Sequence, residues 1–119
     1  MSARLSWQLA EQRVAQYLVR SGFQIVATNL RVGRLELDIV ARREGLIVVV
    51  EVRTRSASAW TRGLSSVDGK KRFRVRRAGE RLWQRRYRHD PSAERLRFDV
   101  ASVSLVEGEL RIEYVPAAF

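Results

Sequence analysis

The chain contains no cysteine and a single histidine, His89. Without cysteine there are no disulfides and no thiolate metal sites, and an intracellular setting is the expectation. One histidine with no cysteine argues against a zinc site and against a nucleophilic triad. No apolar run approaches the ~20 residues of a membrane span, and the N-terminus lacks a signal-peptide core. The chain therefore reads as cytoplasmic, with no membrane partner. It has no repeat, no low-complexity tract and no sign of a second domain, so its 119 residues are expected to form one domain, 1–119, large enough to bury a core without staples.

Negative charge is also scarce. Asp plus Glu number 13 against 23 Lys plus Arg, a net charge of +10 with a pI near 11.4. That balance favours polyanionic partners, nucleic acid first among them. Arginine supplies most of the charge, and its planar fork suits phosphate oxygens better than a lysine point charge does. Charge sets a class of partner, not an activity.

What is present centres on Arg34–Arg55. Leu35, Leu37, Ile39 and Ala41 alternate with other residues, and Leu46–Val50 is an unbroken apolar run, so both segments carry strand signals. Glu44-Gly45 between them reads as a two-residue hairpin loop, with Gly45 taking the positive φ such loops need. That register pairs Arg43 with Leu46 and sets Asp38 opposite Glu51. Period two puts Glu36 and Arg53 on the same face, opposite each other, and Leu37, Ile39, Val50 and Val52 on the other. Two like charges at cross-strand distance repel, and buried carboxylates are costly unless paired or metal-bound. A solvated, ion-paired surface is the simplest account of such a face. Glu51 argues against it, because it ends an apolar strand that reads as central. Two acids in an oxygen-only setting suit a hard divalent cation, Mg²⁺ or Mn²⁺.

Around this hairpin, Ser2–Ser21 reads as an amphipathic helix with Trp7, Ala10, Val14, Tyr17 and Leu18 on one face and Gly22 as its stop signal. Glu11 falls at the edge of that stripe, where a carboxylate wants a partner or a role. Phe23–Thr28 reads as a short strand, and Asn29–Gly33 as the turn into the hairpin. The polar stretch 54–65, containing Trp60, reads as a loop. Val67–Arg86 is a second helix, N-capped by Ser65 or Ser66 with Asp68 in its first turn, and its core stripe is Val67, Val75, Ala78 and Leu82. Lys71 occupies that stripe, free to snorkel or to meet Glu51 or Asp38. Lys70 and Arg72, Arg74, Arg76, Arg77, Arg81, Arg85 and Arg86 fall mainly on the other faces, a solvated or phosphate-tracking surface; Arg31 is a further phosphate contact or simply exposed. Tyr87–Ala93 is a loop, and Leu96–Val106 and Leu110–Val115 form a second hairpin around Glu107-Gly108. The order α-β-β-β-α-β-β describes an α/β (α+β) protein with a mixed sheet flanked by helices, strand three, the crossover helix and strand four forming a right-handed unit.

These elements and residues resemble the YraN-like family of the restriction-endonuclease-like, or PD-(D/E)XK, superfamily across nearly the whole chain. The matching pieces are Glu11, Ala15, Tyr17, Leu18 and Gly22-Phe23; Asn29 and Arg31; Leu35-Glu36-Leu37-Asp38-Ile39; Val50-Glu51-Val52-Arg53; Lys71, with Lys70 as the alternative; and Arg97–Val100. Each is short, but the ordered set is specific. The chain departs from the family at Leu35, where glycine is usual, and from the superfamily at Arg53, where lysine is usual. Arginine cannot be deprotonated, so Arg53 could stabilise charge but not act as a base.

The resemblance implies a restriction-endonuclease-like core and a Mg²⁺- or Mn²⁺-dependent nuclease hydrolysing phosphodiester bonds, DNA favoured over RNA and branched or structured DNA within range. It implies Asp38 and Glu51 as metal ligands, Arg53 and Lys71 stabilising transition-state charge, and Glu11 and Glu36 orienting ligands or water. Arg97 and Asp99 would support the site, and Arg31, Lys70, Arg72 and Arg74 would hold nucleic acid. Homodimers occur in the superfamily, although the chain carries no independent sign of one. The alternatives are a non-catalytic nucleic-acid-binding protein that keeps the fold, and a protein-binding scaffold in which Glu36-Arg53 and Glu51-Lys71 form internal salt bridges.

Overall fold

In a computed structural model the described residues are 6–55 and 69–119. Trp60, the caps Ser65 and Ser66, Val67, Asp68 and the first residues of the expected N-terminal helix lie outside them. The elements are α1 (Trp7–Arg20), β1 (Gln24–Val32), β2 (Leu35–Arg43), β3 (Leu46–Arg55), α2 (Gly69–Leu82) running into a π-helical segment Trp83–Tyr87, β4 (Arg95–Val106) and β5 (Glu109–Val115). The sheet order is β1-β2-β3-β4-β5, antiparallel throughout except for the parallel pair β3–β4. A parallel pair needs a crossover connection, and α2 lies within it. The fold is the mixed α+β arrangement expected from the sequence.

The helices cover opposite faces. Ala10, Val14 and Leu18 of α1 pack with Ile39, Ala41, Val48, Val50, Val52, Ala101 and Val103. Val75, Ala78 and Leu82 of α2 pack with Leu37, Val40, Ile47, Val49 and Phe98. β3 is apolar on both faces because both are covered, which is why its sequence shows a run rather than an alternation. Each fully buried Val or Ile there contributes roughly 1.5–3 kcal/mol relative to exposure.

α1 is capped by Ser6, whose hydroxyl accepts from Leu9 N at 3.1 Å, and ends at Gly22 with φ +91°, after which Phe23 N donates to Leu18 O. Its buried stripe is Ala10, Glu11, Val14 and Leu18. Trp7 and Tyr17, expected on that stripe, are about two-fifths exposed. Trp7 opens the first turn at the rim, and Tyr17 rests its ring on Tyr114 of β5, centroids 5.3 Å apart.

Four further expectations are corrected. β1 does not stop at Thr28 but runs to Val32, so Asn29 and Arg31 are strand residues. Asn29 adopts φ +51°, a left-handed conformation that asparagine tolerates better than most residues. In the β2–β3 loop the left-handed residue is Glu44, φ +53°, not Gly45. Gly45 is small for another reason. Its carbonyl accepts from Glu94 N and Arg95 N at the start of β4, and a Cβ there would come within 2.6 Å of the Glu94 side chain. Tyr87, read as loop, ends the π-helical segment and is buried. Finally, Leu37 belongs with the α2-side cluster, not with Ile39.

Candidate active site

The Leu37 displacement marks where the hairpin ladder breaks. β2 and β3 pair from Arg43–Leu46 to Ile39–Val50 in the expected register, and pairing ends there. Continued, the ladder would oppose Asp38 to Glu51 and then bring Val52 N–H to the Leu37 carbonyl. Instead the Asp38 carboxylate takes that donor, with Val52 N 2.8 Å from Oδ2. Opposite Asp38 on the other side, β1 carries the left-handed Asn29, and the β1–β2 register skips from Thr28–Ile39 to Leu30–Leu37. The strands turn here, so Leu30 and Leu37 face α2 while Ile39 faces α1.

Glu51 projects on the α2 side of β3 and is 3% exposed. Lys71 Nζ stands 2.8 Å from its Oε1 and Arg53 Nη2 3.4 Å from its Oε2. The lysine contact is short but poorly directed, so Oε1 has a cationic neighbour without an aligned hydrogen bond. Lys71 is half-exposed: its stem lies along the stripe and its head reaches back to the buried acid. From α1, the buried Glu11 accepts from Asn29 Nδ2 at 3.2 Å through Oε2, and its buried Oε1 has no hydrogen-bond partner among the described residues. Asp38 sits between these groups. Burial is the main cause raising its pKa to about 6, opposed first by the Val52 N–H and then by Lys71, and reinforced by the charges of Glu11 and Glu51.

Glu11, Asp38, Glu51, Arg53 and Lys71 are thus brought together. Glu36 is not: it is exposed, and its register neighbour is Arg31 on β1, not Arg53. The break at Ile39–Val50 removes the pairing that would have carried Glu36 to Arg53. Asp99 also stands apart. In register with Val50, it is wholly buried and accepts from Arg97 Nε and Nη2, both at 2.9 Å, from Ala117 N at 2.9 Å, and from the Tyr114 hydroxyl. Its carboxylate locks β4 to β5 and the following residues. Burial and Asp99 together hold the Tyr114 phenol protonated, and Asp99 raises the pKa of Arg97. Of the residues expected to hold nucleic acid, Arg31, Lys70 and Arg74 are exposed, and Arg72 is half-buried with its guanidinium 5.8 Å from the Phe119 ring centre.

Sequence reasoning missed Asn29 as the partner of Glu11. The signal available was the residue type, since asparagine in a strand invites a left-handed kink. It also missed Tyr114 as the Asp99 partner, which no spacing rule connects.

Among the described residues no group of three or more His, Asp or Glu side chains is gathered closely enough to cage an ion. The donor chemistry nonetheless fits Mg²⁺ or Mn²⁺. Magnesium is commonly held by one or two carboxylates with water and substrate phosphate rather than by an all-protein cage. The unpartnered Glu11 oxygen and the loosely met Glu51 oxygen are acceptors with capacity to spare.

The family described as "Uncharacterised protein family UPF0102" matches residues 10–103. The chain belongs to it. This bears out the YraN-like membership that the motifs implied. Among UPF0102 relatives, the protein sce2912 of Sorangium cellulosum is 51% identical over 111 residues, covering 92% of this chain and 77% of its own. The protein Franean1_1156 of Parafrankia is 38% identical over 120 residues, covering 100% and 98%. A UPF0102 protein of Moorella thermoacetica is 38% identical over 122 residues with the same coverage. Among solved structures, the crystal structure of a repair endonuclease from Pyrococcus abyssi aligns with a TM-score of 0.46 and 17% identity, over 91% of this chain but only 42% of that one. The UPF0102 chain thus spans less than half the length of that structure. No helix among its described residues is long and apolar enough to cross a membrane.

Proposed function

We propose that this chain, acting as one unit over 1–119, is a metal-dependent nuclease that hydrolyses phosphodiester bonds of DNA. The observation that carries the reading is the pair Asp38 and Glu51 on adjoining strands, at the one point where the β2–β3 ladder gives way and a side chain takes over from the backbone. Asp38 and Glu51 would hold Mg²⁺ or Mn²⁺, with the Val52 carbonyl a further ligand by analogy with the superfamily. When bound, the ion supplies Lewis acidity and an acidified water. The chain's own groups do the rest. Val52 N–H fixes the Asp38 carboxylate, so its second oxygen is presented in one orientation. Arg53 and Lys71 balance the charge of Glu51 and are placed to stabilise charge developing on phosphate oxygens. Glu11, steadied by Asn29, is a candidate to orient water.

The test incubates purified protein with linear, supercoiled and branched DNA, and with RNA, under Mg²⁺, Mn²⁺ or EDTA, beside Asp38→Ala and Glu51→Ala. Cleavage that needs the metal and disappears in both variants supports the reading; cleavage surviving both substitutions defeats it.

The Glu51 ion pairs favour a second reading. Lys71 at 2.8 Å and Arg53 at 3.4 Å already neutralise the acid without any ion, which suits a protein that keeps the fold and the basic surface but only binds nucleic acid. Salt-sensitive binding with no cleavage under either metal, and no rise in Tm on adding Mn²⁺, selects it.

A further inference from the structure

On the same side of the sheet as α2, a groove of about 630 Å³ runs between the β1–β2 turn and the helix. Its walls are Val32, Gly33 and Leu35 of the turn, Phe73 and Ala78 of the helix, and four arginines: Arg34, Arg74, Arg77 and Arg81. Among the described residues no carboxylate lines it. Residues 74, 77 and 81 follow the helical repeat, so their guanidinium groups rise along one edge of α2. Arg81 leans onto the turn, where a Cβ on Gly33, φ +63°, would lie 3.3 Å from its Nη1. Glycine there leaves backbone and guanidinium in close approach.

Phe73 is the unexpected wall. It is 61% exposed, the most exposed large hydrophobic side chain among the described residues, and its ring is met by Arg77 at 5.7 Å. An exposed aromatic ring among arginines that meet no carboxylate of the described residues in the groove offers a flat π surface and a set of phosphate donors, and so suits a ligand with an open base face and phosphate oxygens. A strand of nucleic acid with unpaired bases offers both; a duplex, whose bases are stacked inside, offers only the second.

We propose that this groove is a binding site for an unpaired DNA strand, its phosphates on Arg34, Arg74, Arg77 and Arg81 and one base stacked on Phe73. The assignment deepens the nuclease reading and rests on it for the placement of the scissile bond, while the binding itself stands without it. Asp38 lies three residues along β2 from the groove wall Leu35, ~10 Å at the rise of a strand. An unpaired strand running past Leu35 would therefore need only a short continuation to reach the acids.

The experiment measures fluorescence anisotropy in EDTA, where cleavage plays no part. Probes are a short labelled oligo-dT strand, the same length of duplex DNA, and an oligo-U RNA strand, against the intact protein, Phe73→Ala, Arg77→Gln, and Arg111→Gln on β5 as a control. Phe73→Ala changes no charge, and the exposed position leaves Tm unaltered, which is checked by a thermal melt. The site predicts that Phe73→Ala weakens the single strand by roughly five- to a hundredfold and the duplex less than about twofold, that Arg77→Gln weakens both, and that Arg111→Gln changes neither. Equal losses on strand and duplex, or none in Phe73→Ala, overturn the site. Tighter binding of the RNA strand than of oligo-dT overturns the assignment to DNA. If the protein binds as described but cuts nothing with Mg²⁺ or Mn²⁺, the nuclease reading fails and the groove stands; if it cuts while Phe73→Ala binds and cuts normally, the reverse holds.

Discussion

At the scale of single residues, Asp38 is held in a state that costs the folded protein stability at neutral pH. Its pKa is raised from 3.8 to about 6, with burial the leading cause. Between those values the folded chain carries a proton on Asp38 that the unfolded chain has given up, so this group favours folding increasingly as pH falls from about 7 towards 4. Asp90 works the other way. Hydrogen bonds from Ser92 and Arg42 lower its pKa to about 2, so its contribution is intact above 3.8 and is lost as pH falls through 2. Asp38→Asn keeps an acceptor for Val52 N and removes the buried charge. Melts of metal-free protein should find this variant more stable than the parent at pH 7.5, with the gap closing by about pH 4; a gap that ignores pH would disprove the assigned cause. That Asp38 and Glu51 lie near each other on adjoining strands was legible in the sequence because the hairpin loop fixes a register, although the ladder ends one pair short of them. The turn of the strand at Asn29 and Asp38 was not, since alternation assumes an unbroken ladder, and that one irregularity moved Leu37 to the other face and parted Glu36 from Arg53.

Among elements, α2 lies on the sheet through Gly79. A Cβ there would come within 2.5 Å of the Phe98 ring and 3.5 Å of Val49. Alanine would gain up to ~1 kcal/mol in helix propensity, but overpacking against a buried ring costs ~1–3 kcal/mol. Urea denaturation should therefore show Gly79→Ala less stable than the parent, and Phe98→Leu in the same chain should recover part of the loss. A stabilised Gly79→Ala would show that the helix stands off the sheet. The same strand position explains the Arg97–Val100 motif: Phe98 faces α2, while Asp99 faces the other way and is locked by Arg97, Tyr114 and Ala117. Tyr114→Phe leaves the buried carboxylate short of a donor and should cost ~1–3 kcal/mol, read from the same denaturation curves; an unchanged midpoint would mean that Asp99 is satisfied without it. Helices and strands were readable from period and turn chemistry. The locks between them were not, because each joins residues that only the folded sheet makes neighbours.

For the molecule as a whole, the +10 charge is a statement about partners more than about the fold. Four phosphate contacts in the arginine groove correspond to a slope of about −3 in log affinity against log salt for a single strand. A titration of oligo-dT binding across salt concentrations measures it, and a slope near zero would leave the groove without phosphate contacts. The charge was plain in the sequence; its gathering into a groove depended on the β1–β2 turn meeting α2, which no spacing announces. The Asp38–Val52 contact carries the remaining consequence. A main-chain amide whose acceptor is a titrating side chain is a built-in spectroscopic probe: in a nitrogen-proton correlation spectrum the Val52 cross-peak should migrate along a single titration curve with its midpoint near pH 6, jump when a divalent ion captures the carboxylate, and stay still in Asp38→Asn. One peak would then follow proton, metal and substrate in turn, with no label added to the protein beyond the isotope.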